Sequence, residues 1–253
     1  MCSIVLLYRP GHDWPVLIGA NRDEMRDRPW RAPGRHWADR PEVVAGIDLL
    51  AGGSWLGINA QGVVAAALNR MNTLGPAPGF RSRGELVLEA LDHPDAAAAA
   101  VALADLDPIA YRPFNMVVAD NHDAWWLRNL GPEEGSGVVE VKPLPPGLSM
   151  ITAHDRNDKA SPRIRRHLPR FEAAAPPDPG RGVWSEWQSL LADRGHGPEE
   201  GPGAAMSIAL ESGFGTVSSA LIALPVPMLP PRKPVFLFAA GRPGETPYEP
   251  VAL

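Results

Sequence analysis

Two short apolar runs at the start of the chain are joined by a turn, and this pairing most constrains the fold. The first run extends from Cys2 to Tyr8 and the second from Trp14 to Ala20. The turn sequence Pro10-Gly11-His12-Asp13 between them predicts an antiparallel β-hairpin. In a hairpin the beginning of the first strand lies beside the end of the second. The polar run 21–24, which follows Ala20, is therefore expected beside Cys2.

Further along the chain, blocks of strands alternate with pairs of helices. Apolar spacing, a proline at the first helical position and a capping serine predict helices over 84–91, 95–106, 161–173 and 184–192. Strand-like runs lie before, between and after these pairs. Segregated blocks favour antiparallel sheets with helices outside them, which is an α+β fold. Because no stretch resembles a linker, we expect one domain over residues 1–253.

Composition excludes several classes of protein. The formal net charge is −5 and basic residues alternate with acidic ones, so we expect no nucleic-acid partner. No apolar run approaches the roughly 18–20 residues that span a bilayer, so no membrane span is predicted. A single cysteine cannot form an internal disulfide, which favours a reducing compartment, and a cytoplasmic location is the default expectation. We predict neither a metal site nor a cofactor, since there is no zinc-ligand spacing, no G-x-G-x-x-G motif and no P-loop.

The position of Cys2 suggests a specific chemistry. Removal of Met1, which is usual before a small residue, would leave the thiol and a free α-amine on the same residue. An α-amine titrates near 7.7–8.0, so it can accept the thiol proton and no catalytic histidine is required. The alternative is that Cys2 is an ordinary small buried residue at the start of a strand.

Three polar residues are candidate partners of Cys2. Arg22 and Asp23 are candidates to orient the amine, to lower the thiol pKa or to bind a polar substrate group. Asn69, at the end of the run 63–68, has an amide that can donate to a developing oxyanion. The alternatives are a salt-bridged strand end for the first two residues and a turn cap for Asn69.

These residues belong to a larger pattern that resembles the NRDE family, whose eukaryotic members are called transport and Golgi organization protein 2. The resemblance covers nearly the whole chain. Its matched blocks are Met1-Cys2, Ala20 to Glu24, Gly52 to Gly57, Ala66 to Arg70, Arg81 to Gly84 and Pro113 to Asn115.

The family is similar to the N-terminal nucleophile hydrolases, near the choloylglycine and penicillin V amidases. The resemblance implies a four-layer αββα sandwich of two antiparallel sheets. It also implies Cys2 as nucleophile, Asp23 as the carboxylate that orients the amine and Asn69 as oxyanion donor, with Arg22 beside them.

Other residues of the matched blocks are candidates for substrate binding. They are Asn21, Glu24, Arg70 and Trp55.

The chain departs from these amidases at three positions. The amidase arginine lies three residues before the aspartate, where this chain has Ala20. The amidase Leu-Thr-Asn pattern is matched by Ile151-Thr152-Ala153, and the family's arginine after Gly-Thr is replaced by Val217.

Two functional hypotheses follow. The first is a cysteine hydrolase that cleaves a carbon–nitrogen amide bond of a small-molecule acyl substrate. The second is a non-catalytic protein that binds an apolar ligand on the same fold. Eight tryptophans, including Trp30, Trp37 and Trp55, suit an apolar pocket. An acyl-CoA, a lipid or haem are candidate ligands for the second hypothesis, but no spacing of Cys2 and the seven histidines selects an axial ligand.

Overall fold

The computed structural model describes residues 2–132, 135, 137–228 and 231–253. Within these ranges the strands are β1 Ser3–Tyr8, β2 Val16–Met25, β3 Trp30–Gly34, β4 Val44–Asp48, β5 Leu56–Ile58, β6 Val64–Asn69, β7 Phe114–Ala119, β8 Ala124–Asn129, β9 Glu140–Pro143, β10 Gly147–Ile151, β11 Phe214–Leu224, β12 Val235–Ala239 and β13 Glu249–Pro250. The α-helices are α1 Gly84–Leu91, α2 Ala96–Ala104, α3 Pro162–Ala173 and α4 Ser185–Leu191. None of the helices in these ranges is long and apolar enough to cross a membrane.

The chain forms two compact units, each with its own antiparallel sheet. The first contains residues 1–28 and 146–252, and the second contains residues 29–145 and 253. The α+β class predicted from the block order is confirmed, because strands pair antiparallel in both sheets and the helices pack on them. The expectation of a single domain stays a prediction.

The first unit has a six-stranded sheet in the order β10-β1-β2-β11-β12-β13. One face of this sheet is covered by α3 and α4, whose apolar side chains pack on alternate strand residues. That core includes Val5, Leu17 and Leu221 from the strands and Phe171 and Trp187 from the helices. The opposite strand residues, such as Ile4 and Ile18, therefore point to the other face.

The second unit has a seven-stranded sheet in the order β3-β4-β5-β6-β7-β8-β9. Helices α1 and α2 pack on it around a core that includes Leu86, Leu103 and Phe114. Two of the blocks that carry the family resemblance meet here. A Cβ atom added at Gly53 would lie 2.4 Å from the carbonyl carbon of Gly84, so the two backbones approach too closely for any side chain.

The predicted hairpin is present, but its second strand is longer than expected. The sequence predicted that strand two would end near Ala20, whereas β2 continues to Met25. Backbone hydrogen bonding with β11 on the far side carries the strand through the polar run, from Leu224↔Val16 to Phe214↔Met25. Residues 21–24 therefore alternate between the two faces of a strand. Strand β3 forms within the stretch 27–41, although the proline and arginine content of that stretch is typical of a loop.

Candidate active site

Cys2 lies next to the end of β2, as the hairpin predicted. Ser3 pairs with Asn21, so one further step in the same register places Cys2 beside Arg22. The Cys2 thiol donates to the backbone carbonyl of Asp23 at a Sγ–O distance of 3.8 Å. Because Val5 and Leu7 of β1 face the helices, strand alternation places Cys2 on the other face of the sheet.

The four polar residues of β2 divide between the two faces. Asn21 and Asp23 contact the helix side, where Asn21 Nδ2 donates to the carbonyls of Leu191 and Met206 at 2.9 and 3.0 Å. Arg22 points to the face that carries Cys2, and it is only 5% exposed. The positive charge of Arg22 thus lies beside the thiol, while the Asn21 amide ties β2 to the end of α4 and the chain beyond it.

The carboxylate of Asp23 is completely buried and has two partners that the sequence analysis missed. Thr216 donates its hydroxyl to Oδ1 at 2.7 Å, and the Nη1 atom of Arg163 lies 2.8 Å from Oδ2. Arg163 stands in the first turn of α3, behind the Ser161 cap. Neither partner could be found from the sequence alone, since they lie 193 and 140 residues from Asp23.

A β-bulge brings Thr216 to its position. The register of β11 against β2 shifts between Thr216, which pairs with Asp23, and Ser218, which pairs with Arg22. The extra residue is Val217, one of the three positions at which the chain departs from the pattern that the resemblance implies. The bulge leaves Thr216 facing Asp23 and puts Ser218 on the Cys2 face, next to Arg22. The Ser218 hydroxyl is buried and has no hydrogen-bond partner among the described residues.

The pKa of the Cys2 thiol is raised above its ordinary value. Burial is the largest cause, and the negative charge of Asp23 adds to it. The positive charge of the amino terminus, the hydrogen bond to the Asp23 backbone and the charge of Arg22 act in the opposite direction but do not cancel the effect of burial. The thiol is therefore protonated at neutral pH, and nucleophilic attack requires a base that removes its proton.

The departures from the amidase pattern lie around Arg22. Ala20 is two residues before Arg22 in β2 and so shares its face of the sheet. Ala153, extrapolated from the pairing Ile4↔Ile151, falls beside Cys2 on the β10 side. Small side chains thus stand at both positions where the resemblance implied polar ones, and the arginine of this chain lies two residues further along the same strand face.

The remaining candidate residues have local partners. Glu24 accepts from the backbone N–H of Met25 at 2.9 Å and lies 3.8 Å from Arg28. In the second unit, Asn69 ends β6 opposite Phe114. Arg70 donates to the Asn115 side chain at 2.8 Å. Substrate binding by Glu24 and Arg70, and oxyanion donation by Asn69, stay predictions.

Trp55 also belongs to the second unit. Its ring meets that of Trp30 edge to face, with 5.7 Å between centroids. The same indole fills the space above Gly46, where an added Cβ would lie 2.3 Å from the ring. These contacts make Trp55 a packing residue of its sheet, and a role in ligand binding stays a prediction.

Solved structures with a similar fold support the predicted class. The chain aligns with an N-acylethanolamine-hydrolyzing acid amidase ortholog from Caenorhabditis elegans at a TM-score of 0.54 and 13% identity, covering 88% of this chain and 92% of that one. It aligns with a variant of the conjugated bile acid hydrolase from Clostridium perfringens at a TM-score of 0.52 and 9% identity, covering 100% and 97%. The chain therefore has the N-terminal nucleophile hydrolase fold.

Sequence comparison then assigns the family. The family model described as Transport and Golgi organisation 2 matches residues 1–175. The chain belongs to this family. It is 32% identical over 131 residues to the Transport and Golgi organization protein 2 homolog of Bos taurus and 30% identical over 129 residues to that of Homo sapiens. Each match spans 47% of this chain and 45% of the relative, so about half the length of these relatives is covered.

Proposed function

We propose that this chain is a cysteine N-terminal nucleophile hydrolase that cleaves a carbon–nitrogen amide bond of a small acyl substrate. The observation that carries the proposal is the placement of Cys2 at the end of the hairpin, on the same face of the sheet as Arg22 and in hydrogen-bond contact with Asp23. The fold shared with two amide hydrolases supports it.

In the proposed reaction, removal of Met1 exposes the α-amine of Cys2. The amine takes the thiol proton, and Sγ attacks the carbonyl carbon to form a tetrahedral oxyanion. The carbon–nitrogen bond breaks, and the leaving amine receives the proton from the α-ammonium group. A water molecule then attacks the thioester, passes one proton back to Sγ and releases the carboxylic acid.

Arg22 and Asp23 have distinct proposed roles. The Arg22 guanidinium stabilises negative charge at Sγ, because its charge already lowers the thiol pKa. The Asp23 carboxylate is proposed to orient the α-ammonium group. A cytoplasmic location remains part of the proposal.

The test begins with the intact mass of the purified protein, which shows whether Met1 is removed. Wild type, Cys2→Ala and Cys2→Ser are then assayed with an N-acylethanolamine, a glycine-conjugated bile acid and a set of N-acyl amino acids. We expect amine release by wild type and none by Cys2→Ala. Hydrolysis that continues unchanged in Cys2→Ala, or retention of Met1 in active protein, would overturn the proposed mechanism.

A non-catalytic binding protein for an apolar ligand is the second candidate. The raised pKa of the Cys2 thiol and the alanines at positions 20 and 153 favour it. Fluorescence titration of the tryptophans with an acyl-CoA and with haem distinguishes the two candidates. Saturable binding of the acyl-CoA or of haem, without hydrolysis of any amide, would support the ligand-binding role.

A further inference from the structure

The buried ion pair between Arg163 and Asp23 connects α3 to the strand that ends beside Cys2. The Arg163 side chain is 2% exposed and that of Asp23 is 0% exposed. Loss of one partner would leave the other charge buried and uncompensated, so such a pair strongly resists rearrangement. The pair therefore holds both the position and the charge of Asp23.

Thr216 supplies the second restraint on the same carboxylate. Its hydroxyl oxygen accepts from the backbone N–H of Ile208 at 3.0 Å, and its backbone N–H donates to the carbonyl of Ile208 at 2.9 Å. With one acceptor site of Oγ1 used in this way, the hydroxyl hydrogen is directed to Asp23 Oδ1 at 2.7 Å. Each oxygen of the carboxylate thus has its own donor.

Asp23 is also the residue that contacts the thiol. Its backbone carbonyl accepts from Cys2 Sγ, and the charge of its carboxylate disfavours the thiolate. A change in the compensation of the Asp23 charge therefore changes the pKa of the Cys2 thiol. The contacts run without a gap from Arg163 and Thr216 through Asp23 to Cys2.

We propose that Arg163 and Thr216 are positioning residues for Cys2, which act through Asp23 by holding its carboxylate and balancing its charge. The inference rests on the proposed function only where it treats Cys2 as the reacting group. Neither residue is assigned a contact with substrate.

The test must separate the partner of this carboxylate from other charged groups on the same elements. Asp23 is faced by Arg163 from α3, and Arg22 precedes it on the opposite face of β2. His167 and Arg170 occupy the next turns of α3, where they contact each other at 3.2 Å. A double-mutant comparison in the absence of the Asp23 charge identifies which effects pass through Asp23.

The experiment measures the rate of iodoacetamide alkylation of the single cysteine against pH, followed by intact mass. Arg163→Met is expected to raise the midpoint of the rate profile by about half a pH unit or more, because the Asp23 charge, which disfavours the thiolate, is then uncompensated. Arg163→Lys keeps the charge and restores most of the wild-type midpoint. The matched pair Thr216→Val and Thr216→Ser tests the hydroxyl: valine raises the midpoint in the same direction, and serine leaves it near that of wild type.

The decisive comparison uses Asp23→Asn as the background. Addition of Arg163→Met to this variant is expected to shift the midpoint by less than half of its shift in wild type. An equal shift in both backgrounds, or an unchanged or lowered midpoint in Arg163→Met and Thr216→Val, would overturn the proposal. If Arg163→Met fails to fold by circular dichroism, the Thr216 pair provides the same test. Because alkylation needs no substrate, these results are independent of whether the chain hydrolyses amides.

Discussion

The hydroxyl of Ser219 lies 2.6 Å from the side-chain oxygen of Asn21, to which it donates. Ser219 also meets the hydroxyl of Tyr248 at 2.6 Å, and Asn21 donates to two backbone carbonyls beyond β2. The first residue of the polar run is thereby tied to β11, to α4 and to the end of the chain. In this strand Asn21 stabilises the framework, while Arg22 faces the candidate nucleophile.

Adjacent serines of β11 should respond differently to removal of the hydroxyl. Ser219→Ala leaves the buried Asn21 oxygen without its donor, so we expect a loss of about 1–3 kcal/mol in the free energy of unfolding. Ser218→Ala removes a buried hydroxyl that has no hydrogen-bond partner among the described residues, so stability should be unchanged or slightly higher. Urea unfolding of both variants checks the difference. A loss in Ser219→Ala that is no larger than that in Ser218→Ala would contradict the prediction.

The stability of the protein should fall in mild acid because of His167. Burial lowers the pKa of His167 from 6.5 to about 4. Its Nε2–H donates to the carbonyl of Ala204, and its Nδ1 accepts from Arg170, so the folded state holds the neutral ring. The unfolded chain binds a proton at this histidine near pH 6.5, whereas the folded chain does so only near pH 4. The contribution of the neutral ring to the free energy of unfolding is therefore fully present above pH 6.5. It falls as the pH decreases toward 4, by up to about 3 kcal/mol.

The variant His167→Gln tests this pH dependence, since its amide can donate and accept at the same two places. Urea unfolding between pH 7 and pH 4 should show a shallower decline for His167→Gln than for wild type. The exposed His196 supplies the control, and His196→Gln should retain the wild-type decline. A decline that is as steep in His167→Gln as in wild type would assign the acid sensitivity to other groups.

The close approach of Gly53 to Gly84 should make one of the matched glycines intolerant of any side chain. Gly53→Ala forces a Cβ to within 2.4 Å of backbone atoms at the start of α1, so we expect a loss of about 2–3 kcal/mol or a failure to fold. Gly203 is the control, because an added Cβ there meets nothing within 4 Å. Gly203→Ala should change stability by less than about 0.5 kcal/mol. A mild effect at Gly53 would mean that the backbones can separate at little cost.

The edge strand β10 exchanges hydrogen bonds with Asn157, which has a left-handed conformation. Asn157 has a φ of 56°, accepts from the backbone N–H of Met150 at 2.6 Å and donates to the carbonyl of Leu148 at 3.2 Å. Asn157→Gly loses these bonds but keeps the backbone conformation, whereas Asn157→Ala adds strain of about 1 kcal/mol. Thermal unfolding should therefore rank wild type above glycine and glycine above alanine. An alanine variant as stable as the glycine variant would show that the left-handed conformation at position 157 does not strain alanine.

The local pattern of the sequence predicted most elements close to their observed bounds. Helix α1 begins and ends where the pattern placed it, and α3 starts behind its Ser161 cap followed by proline. The predicted end of β2 was wrong because the polar residues that follow Ala20 are also typical of a loop. Only the pairing of β2 with β11, almost 200 residues later, continues the strand to Met25.

By itself, the sequence determined the hairpin, the α+β class, the family and the closeness of Cys2 to the polar run, since these depend on short-range periodicity and on matched motifs. The tertiary structure decided which side chain of that run faces the thiol and which partners each of the other side chains binds. Asp23 acquires its charge partner from α3 and its hydroxyl donor from a bulge in β11. Burial, which no local pattern specifies, sets the direction of the Cys2 thiol pKa, because the cost of removing a charge from water depends on every element packed around it.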